Sequence, residues 1–300
     1  MKKYFVFFLL VFFAFNIYAQ ENSEFYWIEL LDKNNNPYSV SNPEEFLSQR
    51  AIERRQRQNI QIDETDLPVS PQYVQQIDAL NNVTVLYTSK WLNGLVIKCI
   101  DIESLNTIAD LPFVSSVIKV KGQQLGIINK KLDIEIDNEE LLPVTSKQSH
   151  SSSVENIYDY GYGYNQAQML NVPYLHNKGF QGSGVNIAII DAGFQNLDII
   201  PGFDSIRANG QILGTRDFVN PNSNIYNEHS HGMSVLSVIA ANIPGQLTGV
   251  APKASFWLIR SEDGNSESLL EECNWVVAAE FADSVGVDII NSSLGYTTFD

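Results

Sequence analysis

Two residues of this 300-residue chain have the type and setting for acid–base chemistry, Asp191 and His231. Asp191 ends the apolar run that begins at Ile187, with Gly182 and Gly184 before the run and Gly193 just after the acid. A carboxylate there sits where catalytic groups and ligands gather, at the carboxyl end of a buried strand. His231 lies in Asn227-Glu228-His229-Ser230-His231-Gly232-Met233, followed by small and apolar residues to Ala241. That pattern puts an imidazole at the start of a buried helix, a general base on a rigid element. His229 and His231 with Glu228 also form a candidate metal set. An H-x-H spacing is a weak motif, however, and nothing here matches H-E-x-x-H.

The elements that must position these residues are parallel strands covered on both faces, which lose the alternation of half-exposed strands. Residues 182–194 read as one such strand. Gly249-Val250-Ala251-Pro252-Lys253-Ala254 running into Phe256–Ile259 reads as a second, and residues 287–296 as a third. Between the last two, apolar residues at 269, 270, 273, 276, 277 and 281 form a helical stripe over Leu269–Ala282. Strand, helix and strand in one direction make a βαβ unit. The fold class expected is α/β, a doubly wound, mostly parallel sheet with helices on both faces. Gly182-Ser183-Gly184 precedes its strand, whereas the glycines of a dinucleotide-binding fold follow theirs, so that reading is set aside.

Residues 20–120 read as a separate small α+β unit. Strands are predicted at 25–31, 83–87, 92–100 and 114–120, and helices at 44–58, 71–80 and 102–109, in the order of a split βαβ unit. Arg50, Arg54 and Arg57 share one side of the first helix. A solvated basic face explains them most simply, and docking on the acidic second half is the alternative. Residues 121–153 turn polar and acidic and read as an exposed linker, where proteolytic nicking concentrates. A short helix around 167–175 then leads to the central strand.

Composition limits the function classes. With 44% hydrophobic and 18% charged residues the chain is globular, and its net charge of −16 argues against nucleic acid as a partner. Residues 151–300 hold 16 acidic against 5 basic side chains. At the amino terminus, Lys2 and Lys3, an apolar run over residues 4–15 and Ala19 form a secretory signal peptide spanning residues 1–19. The run is shorter than the about 20 residues of a membrane span, so no stable membrane anchor is expected and the destination is secreted or extracytoplasmic. Cys99 and Cys273 are too few for a disulfide framework and read as small buried hydrophobes.

Asp191 in D-A-G, His231 in H-G-M, then G-V-A-P at 249–252 and S-L-G at 293–295, in this order, resemble the subtilisin-like serine proteases. The family usually has D-T-G or D-S-G and H-G-T, so Ala192 and Met233 depart from it without changing the acid or the base. The resemblance covers residues 182–300 and, more weakly, relates residues 20–120 to the family's propeptide, an intramolecular chaperone and inhibitor. Residues 154–300 are then the first part of a peptidase domain, with the maturation site in the 121–153 linker.

The resemblance implies that Asp191 orients His231, which would take the proton from a serine attacking a peptide carbonyl. No serine between Ser234 and Ser293 has the family's G-T-S context, and no A-G-N segment supplies an oxyanion-hole Asn. The nucleophile is therefore expected beyond residue 300, and these 300 residues alone are expected to be inactive. Ser293, Leu294, Gly295 and Gly264 are the implied substrate-binding positions, for peptide or protein substrates. Carboxylates at Glu262, Asp263 and Glu267 would favour basic side chains before the cut if they line the cleft. Calcium, common in the family, is the one cofactor the resemblance leaves open, although no acidic loop here can be assigned to it. The rival reading is a non-catalytic binding or inhibitor protein on the same scaffold.

Overall fold

The computed structural model describes residues 24–121 and 156–295. The expected signal peptide and all of the expected linker after Lys121 lie outside the described residues.

The first unit is a four-stranded antiparallel sheet of β1 (Glu24–Leu30), β2 (Val83–Ser89), β3 (Gly94–Cys99) and β4 (Val114–Lys121) in the order β2-β3-β1-β4. It carries helices α1 (Gln49–Gln58), α2 (Pro71–Asp78) and α3 (Ile102–Ala109). This is the split βαβ order expected from the sequence. Ile28 and Leu30 of β1 join Tyr73, Ile77, Leu105 and Ile108 in one core. Trp27 belongs to a second cluster with Val96 and Val120, as a period of two requires. The helix expected over 44–58 is interrupted. Pro43–Glu45 forms a separate 3₁₀ turn, and α1 begins after Ser48, whose side chain accepts the Ala51 N–H as an N-cap.

The second unit opens with α4 (Tyr164–Met169) and α5 (Val172–Asn177), two short helices in place of the single one expected. Asn171 takes a left-handed conformation between them and Pro173 lies in the first turn of α5. Then follow β5 (Asn186–Asp191), α6 (Asp204–Ala208), β6 (Ile212–Asp217), α7 (His231–Ala240), the short pair β7 (Asn242–Ile243) and β8 (Leu247–Thr248), β9 (Ser255–Arg260), α8 (Leu269–Ser284) and β10 (Ile289–Ser292). The order β10-β5-β9-β6 is parallel throughout. β5 is covered on both faces. Ile187 and Ile189 pack with Leu236 and Ala240 of α7, while Ala188 and Ile190 pack with Ala278, Ala279 and Ala282 of α8. That double burial is what produced the continuous apolar run.

The two units meet along α8, and here the solvated basic face is corrected. Arg54 donates to the Val287 carbonyl at 3.0 Å and pairs with Asp283; Arg50 donates to the carbonyls of Gly286 and Gly184 at 3.0 and 2.9 Å and pairs with Asp288. Arg57 remains largely exposed. The outer face of the sheet adds Trp27, Val96 and Val120 against Leu270 and Cys273. Glu280 of α8 accepts the Ser89 hydroxyl at 2.5 Å and the Lys90 and Trp91 N–H groups at 2.9 and 3.1 Å. Cys99 and Cys273 are free thiols.

Candidate active site

Asp191 is the last residue of β5 and is wholly buried. A buried carboxylate needs hydrogen-bond donors. Its Oδ1 accepts the Ala192 N–H at 2.7 Å and His231 Nδ1–H at 2.8 Å. Burial pushes the Asp191 carboxyl above the ordinary carboxylate range, and the His231 and Ala192 hydrogen bonds pull it part of the way back. The carboxylate fixes one imidazole tautomer: Nδ1 carries the proton, and Nε2 is left with a lone pair. The His231 side chain is 43% exposed, so the base meets solvent while the acid does not.

His231 opens α7, and Gly232 allows that helix to come so close. A Cβ at Gly232 would stand 2.6 Å from the Gly193 carbonyl oxygen and 2.8 Å from Asp191 Cβ. Gly193 faces the same constraint from the other side, where a Cβ would meet the His229 nitrogen at 2.5 Å. The two glycines therefore let the acid's loop and the base's loop pass at backbone distance.

The metal set weighed at Glu228, His229 and His231 is engaged otherwise. His231 bonds to Asp191, His229 Nδ1 accepts the His231 backbone N–H at 3.1 Å, and Glu228 pairs with Arg260 at 3.3 Å. Among the described residues no group of three or more His, Cys, Asp or Glu side chains is arranged to hold a metal ion.

The four positions expected to bind substrate lie around this edge. Ser292 pairs with Ile190, so Ser293 continues level with Asp191, followed by Leu294, half-buried against the α8 side of the sheet, and the exposed Gly295. Gly264 stands against His229, where a Cβ would come within 2.9 Å of the ring. Of the acidic segment after β9, Glu262 is buried, and Asp263 is the carboxylate that Lys121, the end of β4, approaches at 3.9 Å. Lys121 also donates to Ser266 Oγ at 3.1 Å.

Sequence reasoning passed over two buried residues of this site, Arg260 and Asp217. Both are charged residues ending strands, in register with Asp191 across β5, β9 and β6. A charge closing an apolar strand beside the one that ends in Asp191 was the available signal for Arg260.

Residues 182–300 match the family model of the Subtilase family, and residues 25–137 match that of the Peptidase S8 propeptide domain, Bacteroidota. The chain is 35% identical over 141 residues to Subtilisin E of Bacillus subtilis (strain 168), 46% of this chain and 33% of that protein. It is 29% identical over 178 residues to Alkaline elastase YaB of Bacillus sp. (strain YaB), 57% of this chain and 42% of that one. With M-protease of Shouchella clausii (strain KSM-K16) it shares 25% identity over 230 residues, 75% of this chain and 50% of the relative. The matched stretch thus spans half or less of each relative's length. A solved epidermin leader peptide processing serine protease from Staphylococcus aureus superposes with a TM-score of 0.48 at 15% identity, covering 91% of this chain and 50% of its own.

Proposed function

From the premise that this chain belongs to the subtilase family, with a propeptide domain ahead of a peptidase domain, we propose that it is the amino-terminal part of a secreted serine endopeptidase precursor. Residues 1–19 are its signal peptide, 20–120 its propeptide, 121–153 the linker that is cut on maturation, and 154–300 the start of its peptidase domain. The observation that carries this reading is the 2.8 Å hydrogen bond from His231 Nδ1 to the buried Asp191. His231 Nε2 takes the proton of a serine hydroxyl as its oxygen attacks the peptide carbonyl, and Asp191 holds the tautomer and stabilises the imidazolium that forms. Sequence following Asp300 supplies that serine. Until the linker is cut, the propeptide sits on α8 as an intramolecular inhibitor. Ser293, Leu294, Gly295 and Gly264 line the path of the peptide substrate.

The test uses the full-length gene product with a peptide substrate and a fluorophosphonate probe. Asp191→Ala and His231→Ala each lower kcat by about 10⁴-fold or more, as triad deletions do in subtilisin, while His229→Ala costs far less. Residues 1–300 alone take no label. Comparable losses from His229 and His231 with rescue by zinc, or no labelling of the full-length protein, would overturn the reading. Amino-terminal sequencing of the secreted form places its start after Lys121; a start near Gln20 contradicts the propeptide assignment.

A further inference from the structure

We propose that Arg260 is the positioning residue of this site, a buried guanidinium that ties the loop bearing Asp191 to the loop bearing His231. The inference rests on the peptidase reading above. Arg260 closes β9 and is 6% exposed, with Asp191 opposite it on β5 and Asp217 opposite it on β6. Its three donor nitrogens go to three different segments. Nε donates to the Ala192 carbonyl at 3.0 Å, Nη1 to Asp217 Oδ2 at 3.1 Å, and Nη2 lies 3.3 Å from Glu228 Oε2.

Each of these partners reaches the acid or the base. Ala192 is the residue whose N–H holds Asp191 Oδ1, so Arg260 grips one end of the same residue that orients the carboxylate. Glu228 lies three positions before His231 in a loop that Gly193 and Gly232 bring against Asp191. Asp217 accepts the Val219 and Asn220 N–H groups, each at 2.8 Å, and the Ser223 hydroxyl at 2.5 Å, and so orders the chain running toward His231. The acid and base come from separate elements, a strand end and a helix start. Arg260 bonds to both of their loops and to β6.

Arginine suits this task because its planar fork presents donors in fixed directions, which the single ammonium of lysine does not. A buried cation is stable there because two carboxylates pair with it. A misplacement of about 1 Å between catalytic groups costs about 10²-fold in rate, so the expected effect is on kcat and not on substrate binding.

In the full-length gene product, Arg260→Met should lower kcat by about 10²-fold with KM changed by no more than about 3-fold. Placed in an Asp191→Asn background, the same substitution should cost no more than about 3-fold, because the group it positions is no longer functional. A second readout needs no turnover: the low-field proton resonance of the His231 Nδ1–H···Asp191 hydrogen bond, present in the zymogen, should be lost in Arg260→Met and weakened in Arg260→Lys. An unchanged resonance in folded Arg260→Met, or equal losses of kcat in both backgrounds, would overturn the proposal. If Arg260→Met fails to fold, Glu228→Gln, which leaves the other two bonds in place, must show the same pattern at smaller amplitude. A parent protein without peptidase activity would refute the functional reading, and the resonance would still decide the positioning role.

Discussion

Arg55 of α1 and Asp283 of α8, 228 positions apart in the chain, form an ion pair with Nη2 2.5 Å from Oδ2. Arg55 also holds Asp66 of its own unit at 2.7 Å, and Arg54 and Lys90 converge on Asp283. One carboxylate of the second unit thus collects three cations of the first. Removing a single partner from a buried pair leaves the others uncompensated, at a cost of about 3–5 kcal/mol. Asp283→Asn should therefore loosen the contact between the units more than any loss of exposed charge. Faster amide exchange at Lys90 and Trp91, whose N–H groups face Glu280 on the same helix, would report it.

The same contact carries a pH dependence. Burial alone would raise the Asp283 carboxyl, but the hydrogen bonds from Arg54 and Arg55 and the charge of Lys90 outweigh it and hold the group below the ordinary value of 3.8. A depressed carboxylate contributes stability that is complete above the unperturbed value and is lost as pH falls through the depressed one. Docking should hold at neutral pH and weaken progressively below about pH 4. Fluorescence of Trp27, which lies in the interface, followed against pH in the parent and in Asp283→Asn would check this. The acid transition should shrink in the variant; an identical transition in both would refute it.

How much of this was legible in the sequence depended on how local the cause was. β5 was readable because burial on both faces leaves an unbroken apolar run, and α3 because Asp101 caps it over the Ser104 N–H and its buried Leu105 and Ile108 lie three apart. β6 was missed. Its residues Ile212-Leu213-Gly214-Thr215-Arg216-Asp217 mix apolar and polar side chains because it lies at the sheet edge. Gly214 shows the reason for one of them, since a Cβ there would stand 2.4 Å from the Trp257 ring. Arg55 was unreadable as a buried residue because the carboxylates that allow its burial, Asp66 and Asp283, lie elsewhere in the chain. The acid and base were singled out by their local context. Arg260 was not, because its bonds run to three segments that only the fold brings together.

His176 supplies a second pH-dependent element, away from the site. It is buried, with the Tyr160 hydroxyl 2.7 Å from Nδ1 and the Val250 carbonyl 3.0 Å from Nε2. The carbonyl accepts only, so Nε2 carries the proton and Nδ1 accepts from Tyr160. Burial lowers the His176 pKa below 6.5, against the opposing effect of the Val250 carbonyl. A histidine with a depressed pKa costs nothing above its unfolded value, and stability falls as pH drops below that value until the folded pKa is passed. Protonation would also turn Nδ1 into a donor and require the Tyr160 hydroxyl to accept. Thermal unfolding of the chain should show Tm falling below about pH 6.5, with a shallower fall in His176→Gln. Equal slopes in parent and variant would remove His176 as the cause.

The last prediction concerns substrate preference, and the structure removes Glu262 from the three carboxylates and sets Asp263 against Lys121. Glu262 is buried and cannot face a cleft, whereas Asp263 and Ser266 meet Lys121, the final residue of β4. The end of the first unit thus already sets a basic side chain against the acidic segment after β9. Backbone and side-chain hydrogen bonds from Asn265, with the charges of Lys121 and Arg260, outweigh the upward push of burial and keep Asp263 below the ordinary range, hence ionised at neutral pH. After the propeptide leaves, a Lys or Arg two to four residues before the cut should take the place of Lys121. At a partly exposed edge such a pair contributes about 0.2–1 kcal/mol, a preference of at most about 5-fold that fades as salt rises. A peptide library cleaved by the full-length enzyme at low and high salt measures it. Asp263→Asn should abolish the enrichment and Glu262→Gln should leave it intact; enrichment that survives Asp263→Asn would sink the assignment.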